Sequence, residues 1–211
     1  MISVNTIHAL LAQHHIKGFL PEHEAEALYR MACEQAQKGL LLEVGSFCGR
    51  SAVYLGHAAK AAGQKLFSVD HHTGSEEHQK GEGYHDAAHY DAEAERVDTL
   101  PDFRRTLRVC GMDDTVIPIV ARSEALAQIW TTPLAFMFID GGHSLEQATA
   151  DCLGWAQHLA ADGVLAIHDI FENPEDGGQA PFLAMQAAIE AFGLVQIERE
   201  GSLVFLKRRV S

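Results

Sequence analysis

The sequence predicts a single α/β domain in which a doubly wound, mostly parallel sheet carries helices on both faces. Its 211 residues suit one compact domain. Short apolar runs alternate with helical segments along most of the chain, which is the order typical of a parallel sheet. Two of these runs, at Leu134–Ile139 and Gly163–Ile167, show no polar alternation, as expected of central strands buried on both faces.

The helical segments are recognised by their first residues and their composition. Pro21 stands at a first-turn position and is followed by two glutamates, which suits a helix N-terminus. Ser123 is a candidate cap for a short helix. The predicted helices are, in chain order, Val4–His15, Pro21–Gln37, Arg50–Ala62, Pro101–Cys110, Ser123–Trp130, Ser144–Ala160 and Phe182–Phe192. The first two form an N-terminal helical cap (residues 1–37) ahead of the main domain (residues 38–211).

The predicted strands are short apolar runs that end at turn residues. The first ends at a glycine turn, the second ends at Asp70, and the last two close the chain after the final helix. In chain order the seven strands are Leu40–Val44, Lys65–Val69, Val116–Val120, Leu134–Ile139, Gly163–Ile167, Leu194–Glu198 and Ser202–Lys207. We find no internal repeat and no linker, so the strands belong to one sheet.

Composition and charge narrow the class of protein. Hydrophobic residues make up 47% and charged residues 21% of the chain, which excludes a disordered chain and a coiled coil. The formal net charge is −13, and a protein that acidic repels phosphate backbones and anionic lipids. We therefore expect a small-molecule partner, and neither nucleic acid nor a membrane surface.

Cysteine spacing and hydropathy indicate the compartment. The four cysteines lie far apart without metal-knuckle or CxxC spacing, so reduced thiols are the simplest interpretation. No apolar run approaches the ~18 residues of a membrane span, and the first residues lack the basic and apolar parts of a secretion signal. We expect a cytoplasmic protein.

The segment 71–91 is polar and holds five of the thirteen histidines. A loop of that length in a compact domain is usually a functional lid or is disordered. A metal site at His85 and His89, which would share one face of a helix, is an alternative, but a solvated lid is favoured. The five residues, any of which is a candidate for lining a substrate pocket, are His71, His72, His78, His85 and His89.

A glycine-containing turn follows the first strand, where an open α/β sheet forms a ligand crevice. It departs from the dinucleotide pattern GxGxxG because Phe47 replaces the middle glycine, and no GK[ST] follows. Free N–H groups at the start of the next helix suit a carboxylate, and Glu43 would accept an ammonium group, as in the methionine end of S-adenosylmethionine. A turn without a ligand is the alternative. The candidate cofactor contacts are Glu43, Gly45, Ser46, Phe47, Gly49 and Ser51.

Asp70 ends the second strand, 21 positions after Gly49. Acidic residues about 20 positions after a glycine turn accept ribose hydroxyls in nucleotide-binding folds. A turn cap is the alternative role for a lone aspartate at a strand end. Together with the glycine turn, the spacing favours a ribose contact, with His71 beside the adenosine by its position.

Four landmarks in this order resemble class I S-adenosylmethionine-dependent methyltransferases. They are Val-Gly-x-x-x-Gly at 44–49, the acid that ends strand two, Ala121-Arg122-Ser123 after strand three, and Ile139-Asp140-Gly141-Gly142-His143 after strand four. The resemblance covers roughly residues 38–207. It implies the sheet order 3-2-1-4-5-7-6 with strand seven antiparallel, Arg122 and Ser123 beside the adenine, and cofactor contacts from Asp140 and Gly141.

Two neighbouring strands of the predicted sheet end in acids and histidine. Asp140 follows strand four and His168-Asp169 follow strand five. Adjacent strands lie about 4.8 Å apart, so the two carboxylates need a proton, a cation or a metal to offset their repulsion. Asp140, His168 and Asp169 would supply oxygen and nitrogen donors to a divalent ion, and the imidazole favours manganese, iron or zinc over magnesium.

His143 lies three residues after Asp140 and would overhang the same space. Histidine titrates near neutral pH, as a general base requires. The spacing resembles the metal-dependent O-methyltransferases, in which macrolide-sugar enzymes use Asp-x-x-His after strand four and Glu-Asp after strand five. His168 departs from that pattern because it stands where an acid is expected.

The resemblance implies metal-assisted O-methylation of a small hydroxylated molecule, with Asp140, His143 and Asp169 as catalytic residues. Three alternatives remain open. They are a metal-independent methyltransferase acting on nitrogen or sulfur, a catalytically silent adenosyl-binding module, and a nicotinamide oxidoreductase, which Phe47 disfavours. The first two helices either cover the mouth of the site or form the contact of a homodimer.

Overall fold

A computed structural model of the chain describes residues 2–75 and 86–209, so His78 and His85 lie outside the described residues. Seven helices are defined in these ranges: α1 (Val4–Gln13), α2 (Glu22–Gln35), α3 (Arg50–Ala61), α4 (Leu100–Val109), α5 (Ser123–Ala127), α6 (Leu145–Ala156) and α7 (Ala180–Phe192). A 3₁₀ turn covers Ala87–His89. None of the helices in the described ranges combines the length and the apolar character that crossing a membrane requires.

The strands form one large sheet and one small hairpin. Their bounds are β1 (Leu41–Val44), β2 (Leu66–Asp70), β3 (Tyr90–Asp91), β4 (Arg96–Val97), β5 (Val116–Val120), β6 (Leu134–Ile139), β7 (Leu159–Ile167), β8 (Leu194–Glu200) and β9 (Leu203–Arg208). The large sheet has the order β5-β2-β1-β6-β7-β9-β8. All of its pairings are parallel except those of β9, which runs antiparallel to β7 and β8. The predicted fold class, strand order and antiparallel strand are confirmed.

The position of β1 determines where a ligand crevice forms. β1 pairs with β2 on one side and with β6 on the other, so the chain leaves the centre of the sheet in both directions. Crevices in open α/β sheets form at such a switch point, outside the carboxyl ends of the strands. The glycine turn after β1 and the residues after β6 therefore meet at one edge.

Two hydrophobic cores cover the two faces of the sheet. One contains α1 to α4, with buried Ile7, Leu28 and Phe103. The other contains α5, α6 and α7, with buried Trp155 and Met185. The first two helices thus share a core with α3 and the central strands, which packs the predicted N-terminal cap directly onto the sheet.

β7 begins at Leu159, four residues earlier than the predicted strand, and α6 ends correspondingly at Ala156. The added part pairs Leu159 with Leu134, after which the register shifts. A Cβ at Gly163 would lie 2.9 Å from the carbonyl oxygen of Leu134. The glycine therefore marks an irregular position inside a longer strand, where the neighbouring backbone approaches closely.

Two histidines of the histidine-rich segment are buried, unlike the residues of a solvated lid. His72 is 2% exposed and His89 is 4% exposed, and the chain returns to the sheet through the hairpin of β3 and β4, which the sequence analysis missed. For these two histidines the expectation of a solvated lid is wrong, because each lies against an aromatic ring, Phe103 for His72 and Phe47 for His89.

Candidate active site

A cavity of about 360 Å³ opens at the carboxyl ends of β1, β2, β6 and β7. The predicted site residues that line it are Gly45, Ser46, Phe47, Ser51, Asp70, His71, Ser123, Asp140, Gly141, His143, His168 and Asp169. The connection between α1 and α2 also lines the cavity, through Gly18, Phe19 and Leu20. Three separate loops after β1, β2 and β6 thus converge with the end of β7 on one space.

The glycine turn is held tightly against the end of β6. Gly45 has φ +83°, and a Cβ there would lie 1.9 Å from the carbonyl oxygen of Asp140. Gly49 has φ +89° and forms the N-terminal cap of α3. Both positions favour glycine because their backbone is left-handed. Gly45 requires it in addition because the backbone of Asp140 leaves no room for a Cβ.

Asp70 fixes the shape of the glycine turn. Its Oδ2 accepts the backbone N–H groups of Ser46 and Phe47, both at 2.9 Å, and its Oδ1 accepts that of His72 at 2.7 Å. The carboxylate therefore couples the loops after β1 and β2 while it lines the cavity. The ribose contact remains a prediction, and anchoring of the loop is an additional role that the sequence analysis did not identify.

Glu43 lies beneath the glycine turn and is not among the residues that line the cavity. It is fully buried and accepts hydrogen bonds from the hydroxyls of Ser51 at 2.9 Å and Ser68 at 2.6 Å. Burial raises the pKa of Glu43 to about 8, against the effect of the two hydroxyls. A largely neutral carboxyl with this environment supports the turn and does not reach an ammonium group in the cavity.

Two further predicted contacts lie outside the cavity lining. The side chain of Arg122 is 76% exposed and pairs with Glu124 at 3.7 Å. Gly49 lies against the ring of Phe103, from which a Cβ would be 3.1 Å away. Of the pair predicted beside the adenine, the structure therefore brings Ser123 to the cavity and Arg122 to solvent.

His168 lies at the centre of three carboxylates. Its Nδ1 is 3.1 Å from Asp140 Oδ1 and 3.5 Å from Asp169 Oδ2, and its Nε2 is 2.6 Å from Glu24 Oε2. Burial by itself lowers the pKa of His168, but the surrounding carboxylates raise it to about 12. His168 is therefore an imidazolium, and it is the cation that offsets the repulsion between Asp140 and Asp169.

Glu24 is a site residue that the sequence analysis missed. It was assigned only to the N-terminus of α2, yet it is 3% exposed and also accepts hydrogen bonds from the backbone and the hydroxyl of Ser202. Burial opposes ionisation, but His168 and Ser202 hold the pKa of Glu24 below its usual range. The contact to His168 spans 144 positions, and no local spacing signals a pair so distant.

His143 and Asp169 form a second imidazole–carboxylate pair at the mouth of the cavity. His143 Nε2 lies 3.2 Å from Asp169 Oδ2, and the two side chains are 36% and 28% exposed. Burial would raise the pKa of Asp169, but hydrogen bonds from His143 and His168 hold it well below its usual range. Asp169 has φ +56°, a strained conformation for a non-glycine residue that directs its side chain toward both imidazoles.

One group of donors in this cluster is close enough to share a divalent ion. Ligating atoms of Asp140, His143 and Asp169 all lie within 4.8 Å of one another. His168, predicted as the third ligand, has both ring nitrogens directed at carboxylates. The geometry favours the two aspartates as oxygen donors with His143 beside them.

Asp151 of α6 is a cavity residue that the sequence analysis also missed. It is 1% exposed, and its Oδ1 has no hydrogen-bond partner within residues 2–75 and 86–209. Ser123 accepts the indole N–H of Trp155 at 2.6 Å and bonds to the Asp151 carboxyl. Burial raises the pKa of Asp151 to about 6. This buried acceptor lines the cavity, where it is accessible to a bound ligand.

The charge of His168 makes the free energy of unfolding of the metal-free protein depend on pH. Its pKa rises from 6.5 to about 12 on folding, so its stabilising contribution is fully present below pH 6.5 and is lost as the pH rises toward 12. From about pH 8 to pH 9, we expect this proton alone to lower the free energy of unfolding by about 1.4 kcal/mol per pH unit.

Urea unfolding of wild type and His168→Gln in EDTA measures this slope, and the comparison cancels the other titrating groups. In the variant, the free energy of unfolding should fall less steeply with pH, by the amount that His168 contributes in wild type. Equal slopes in the two proteins would contradict the assignment. So would an NMR titration of wild type in which the His168 imidazole loses its proton near neutral pH.

Comparison with known proteins identifies the family. The family model described as "Methyltransferase domain" matches residues 42–170. The O-methyltransferase NovP has a TM-score of 0.67 and 15% identity, over 90% of this chain and 83% of its own. The O-methyltransferase from Bacillus cereus in complex with SAH has a TM-score of 0.62 and 12% identity, over 97% and 90%.

The O-methyltransferase TomG from Streptomyces achromogenes, involved in tomaymycin synthesis and solved with SAM, has a TM-score of 0.59 and 13% identity, over 96% of this chain and 87% of its own. At these identities the structural likeness establishes the fold, and the family model covers more than half of the chain. The chain belongs to the methyltransferase-domain family and is a class I S-adenosylmethionine-dependent methyltransferase.

Proposed function

We propose that the protein methylates an oxygen atom of a small hydroxylated molecule, with His143 as the general base. The observation that carries the proposal is the His143–Asp169 pair, which lines the same cavity as the glycine turn and Asp70. The three structural neighbours described above are named O-methyltransferases, which supports oxygen as the accepting atom. The net charge of −13 favours a small acceptor over nucleic acid.

Binding of the cofactor in this proposal uses the residues that line the inner cavity. Backbone N–H groups at the start of α3, just after the glycine turn, bind the methionine carboxylate, and Asp70 binds the ribose. Ser123 and Asp151 face the adenine. Bound S-adenosylmethionine supplies an electrophilic methyl group, so the protein contributes mainly the alignment of donor and acceptor.

His143 supplies the proton chemistry. In this proposal Nε2–H donates to Asp169, and Nδ1 accepts the hydroxyl proton. As the oxygen forms its bond to the methyl carbon, the bond from that carbon to the sulfonium breaks and its electron pair stays on sulfur. The hydroxyl proton moves to Nδ1, and the carboxylate of Asp169 stabilises the imidazolium. Asp169 also fixes the tautomer and the orientation of the ring.

A divalent ion fits the donors of this site. Glu24, Asp140 and Asp169 surround the single charge of His168, so two negative charges remain for a divalent cation to balance. Asp140 and Asp169 would hold the ion, which would lower the pKa of the acceptor hydroxyl. An oxygen donor set suits magnesium or manganese, and His143 keeps its role as base in this proposal.

The test of the proposed function is transfer of a labelled methyl group from S-adenosylmethionine to a library of phenols, sugars, amines and thiols, with and without EDTA. We expect labelled ethers, formed more slowly in EDTA and restored by magnesium or manganese. Full activity in EDTA would show that methyl transfer does not require a divalent ion. Transfer only to nitrogen or sulfur, or tight cofactor binding without transfer to any acceptor, would refute O-methylation.

Asp151 provides a separate test of the adenine site. We expect wild type to bind S-adenosylhomocysteine more tightly than S-inosylhomocysteine, because the carboxylate accepts the 6-amino group and repels a 6-oxo group. In Asp151→Asn the amide can donate to the oxo group, so the preference should narrow at least tenfold, the size expected for one hydrogen bond to a charged group. Calorimetry with both ligands measures the ratio. Exposed Asp176→Asn is the control, and an unchanged ratio in Asp151→Asn would refute the contact.

A further inference from the structure

A cluster of one cysteine, one histidine and one aspartate lies outside the residues that line the cavity. Cys48 Sγ is 3.4 Å from His89 Nε2, and the same nitrogen is 3.1 Å from Asp102 Oδ2. The three ligating atoms all lie within 4.8 Å of one another. Cys48 and His89 are buried, whereas the side chain of Asp102 is 50% exposed.

These contacts are difficult to satisfy by hydrogen bonds alone. Nε2 of a neutral imidazole offers either one proton or one lone pair, yet a sulfur and a carboxylate oxygen both face it. A metal ion satisfies all three donors together. With tetrahedral bond lengths for zinc, sulfur and nitrogen ligands would be about 3.6 Å apart, and nitrogen and oxygen ligands about 3.3 Å apart. Both observed distances are close to these values.

The other side of the histidine ring carries an independent indication. His89 Nδ1 is buried and makes no hydrogen bond to the described part of the chain, although Asp86 Oδ2 lies 3.5 Å from it. Histidines that bind metals donate their second N–H group to a carboxylate in this arrangement. A metal on Nε2 puts the ring proton on Nδ1, where it faces Asp86.

We propose that Cys48, His89 and Asp102 bind a zinc ion, with water at the fourth position on the exposed side of Asp102. A thiolate and a carboxylate together balance the charge of the ion. The site would join the turn before α3, the 3₁₀ turn at Ala87–His89 and the first turn of α4. Because the ring of His89 contacts Phe47 at a centroid distance of 5.2 Å, the ion would brace the glycine turn from outside the cavity.

Cobalt tests the site directly, because only a sulfur ligand gives a thiolate-to-cobalt charge-transfer band. Chelator-treated full-length protein should develop this band with one equivalent of cobalt and lose it when zinc is added. The Asp140–Asp169 site contains no sulfur and is silent in this measurement. Cys48→Ser should abolish the band, whereas Cys110→Ser, which replaces another buried free cysteine, should retain it.

Asp102→Asn keeps the sulfur ligand and changes a half-exposed residue, so its folding is not at risk. We expect this variant to bind cobalt at least tenfold more weakly while it retains the band at saturation. A wild-type protein without the band, a band that survives Cys48→Ser, or unchanged cobalt affinity in Asp102→Asn would overturn the proposal.

Discussion

Replacement of Asp70 by alanine is expected to weaken binding of S-adenosylhomocysteine by about 10²–10⁴-fold. The carboxylate holds two N–H groups of the glycine turn and is predicted to accept ribose hydroxyls. Hydrogen bonds to a charged group contribute about 1.5–3 kcal/mol each, so the loss of two hydrogen bonds to the ribose hydroxyls gives this range. Calorimetric titration of wild type and Asp70→Ala measures the effect.

The control for this variant is Asp91→Ala. Asp91 also accepts two backbone N–H groups, from Glu93 and Ala94, but it does so in an exposed turn outside the cavity. We expect this variant to bind the ligand as wild type does. Equal affinity of Asp70→Ala and wild type would defeat the assignment of the cofactor site.

Replacement of His143 by alanine is expected to lower kcat by about 10²–10⁴-fold, the usual contribution of a general base. The affinity for S-adenosylhomocysteine should stay near that of wild type, because the proposed role of His143 concerns only the acceptor. Initial rates with an acceptor found in the methyl-transfer screen measure kcat, and calorimetry measures affinity.

Two further observations separate catalysis from structural damage in this variant. Added imidazole should restore part of the rate, since it can enter the space left by the side chain and accept the proton. His23→Ala, which changes an exposed histidine of α2, should be as active as wild type. Retention of most of the activity in His143→Ala would show that another group removes the proton.

Features that depend on local sequence were predicted well. The central strands β1 and β6 are apolar runs that are buried along their whole length, and Gly45 and Gly49 occupy left-handed positions of a tight turn. The order of the motifs along the chain was sufficient to predict that Gly45, Asp70, Asp140 and Asp169 line one cavity. Parallel strands with ends at one edge leave little freedom for these residues to separate.

Features that depend on long-range packing were not predictable in the same way. Glu43 is paired in register with Ser68 of β2, so its carboxyl meets that hydroxyl within the structure rather than a ligand. Glu24 reaches His168 only because α2 packs across the sheet, and Asp151 approaches Ser123 only because α6 lies beside α5. His168, which was predicted to bind a metal, has both ring nitrogens directed at carboxylates that come from α2 and from the end of β6.

The most direct test of the central claim is a crystal structure of the protein with S-adenosylhomocysteine. We predict one ligand per chain, with its ribose on Asp70, its carboxylate at the glycine turn and its sulfur facing His143 across a gap that fits one acceptor oxygen. A ligand bound elsewhere on the chain, or a sulfur atom turned away from His143 and Asp169, would contradict the account.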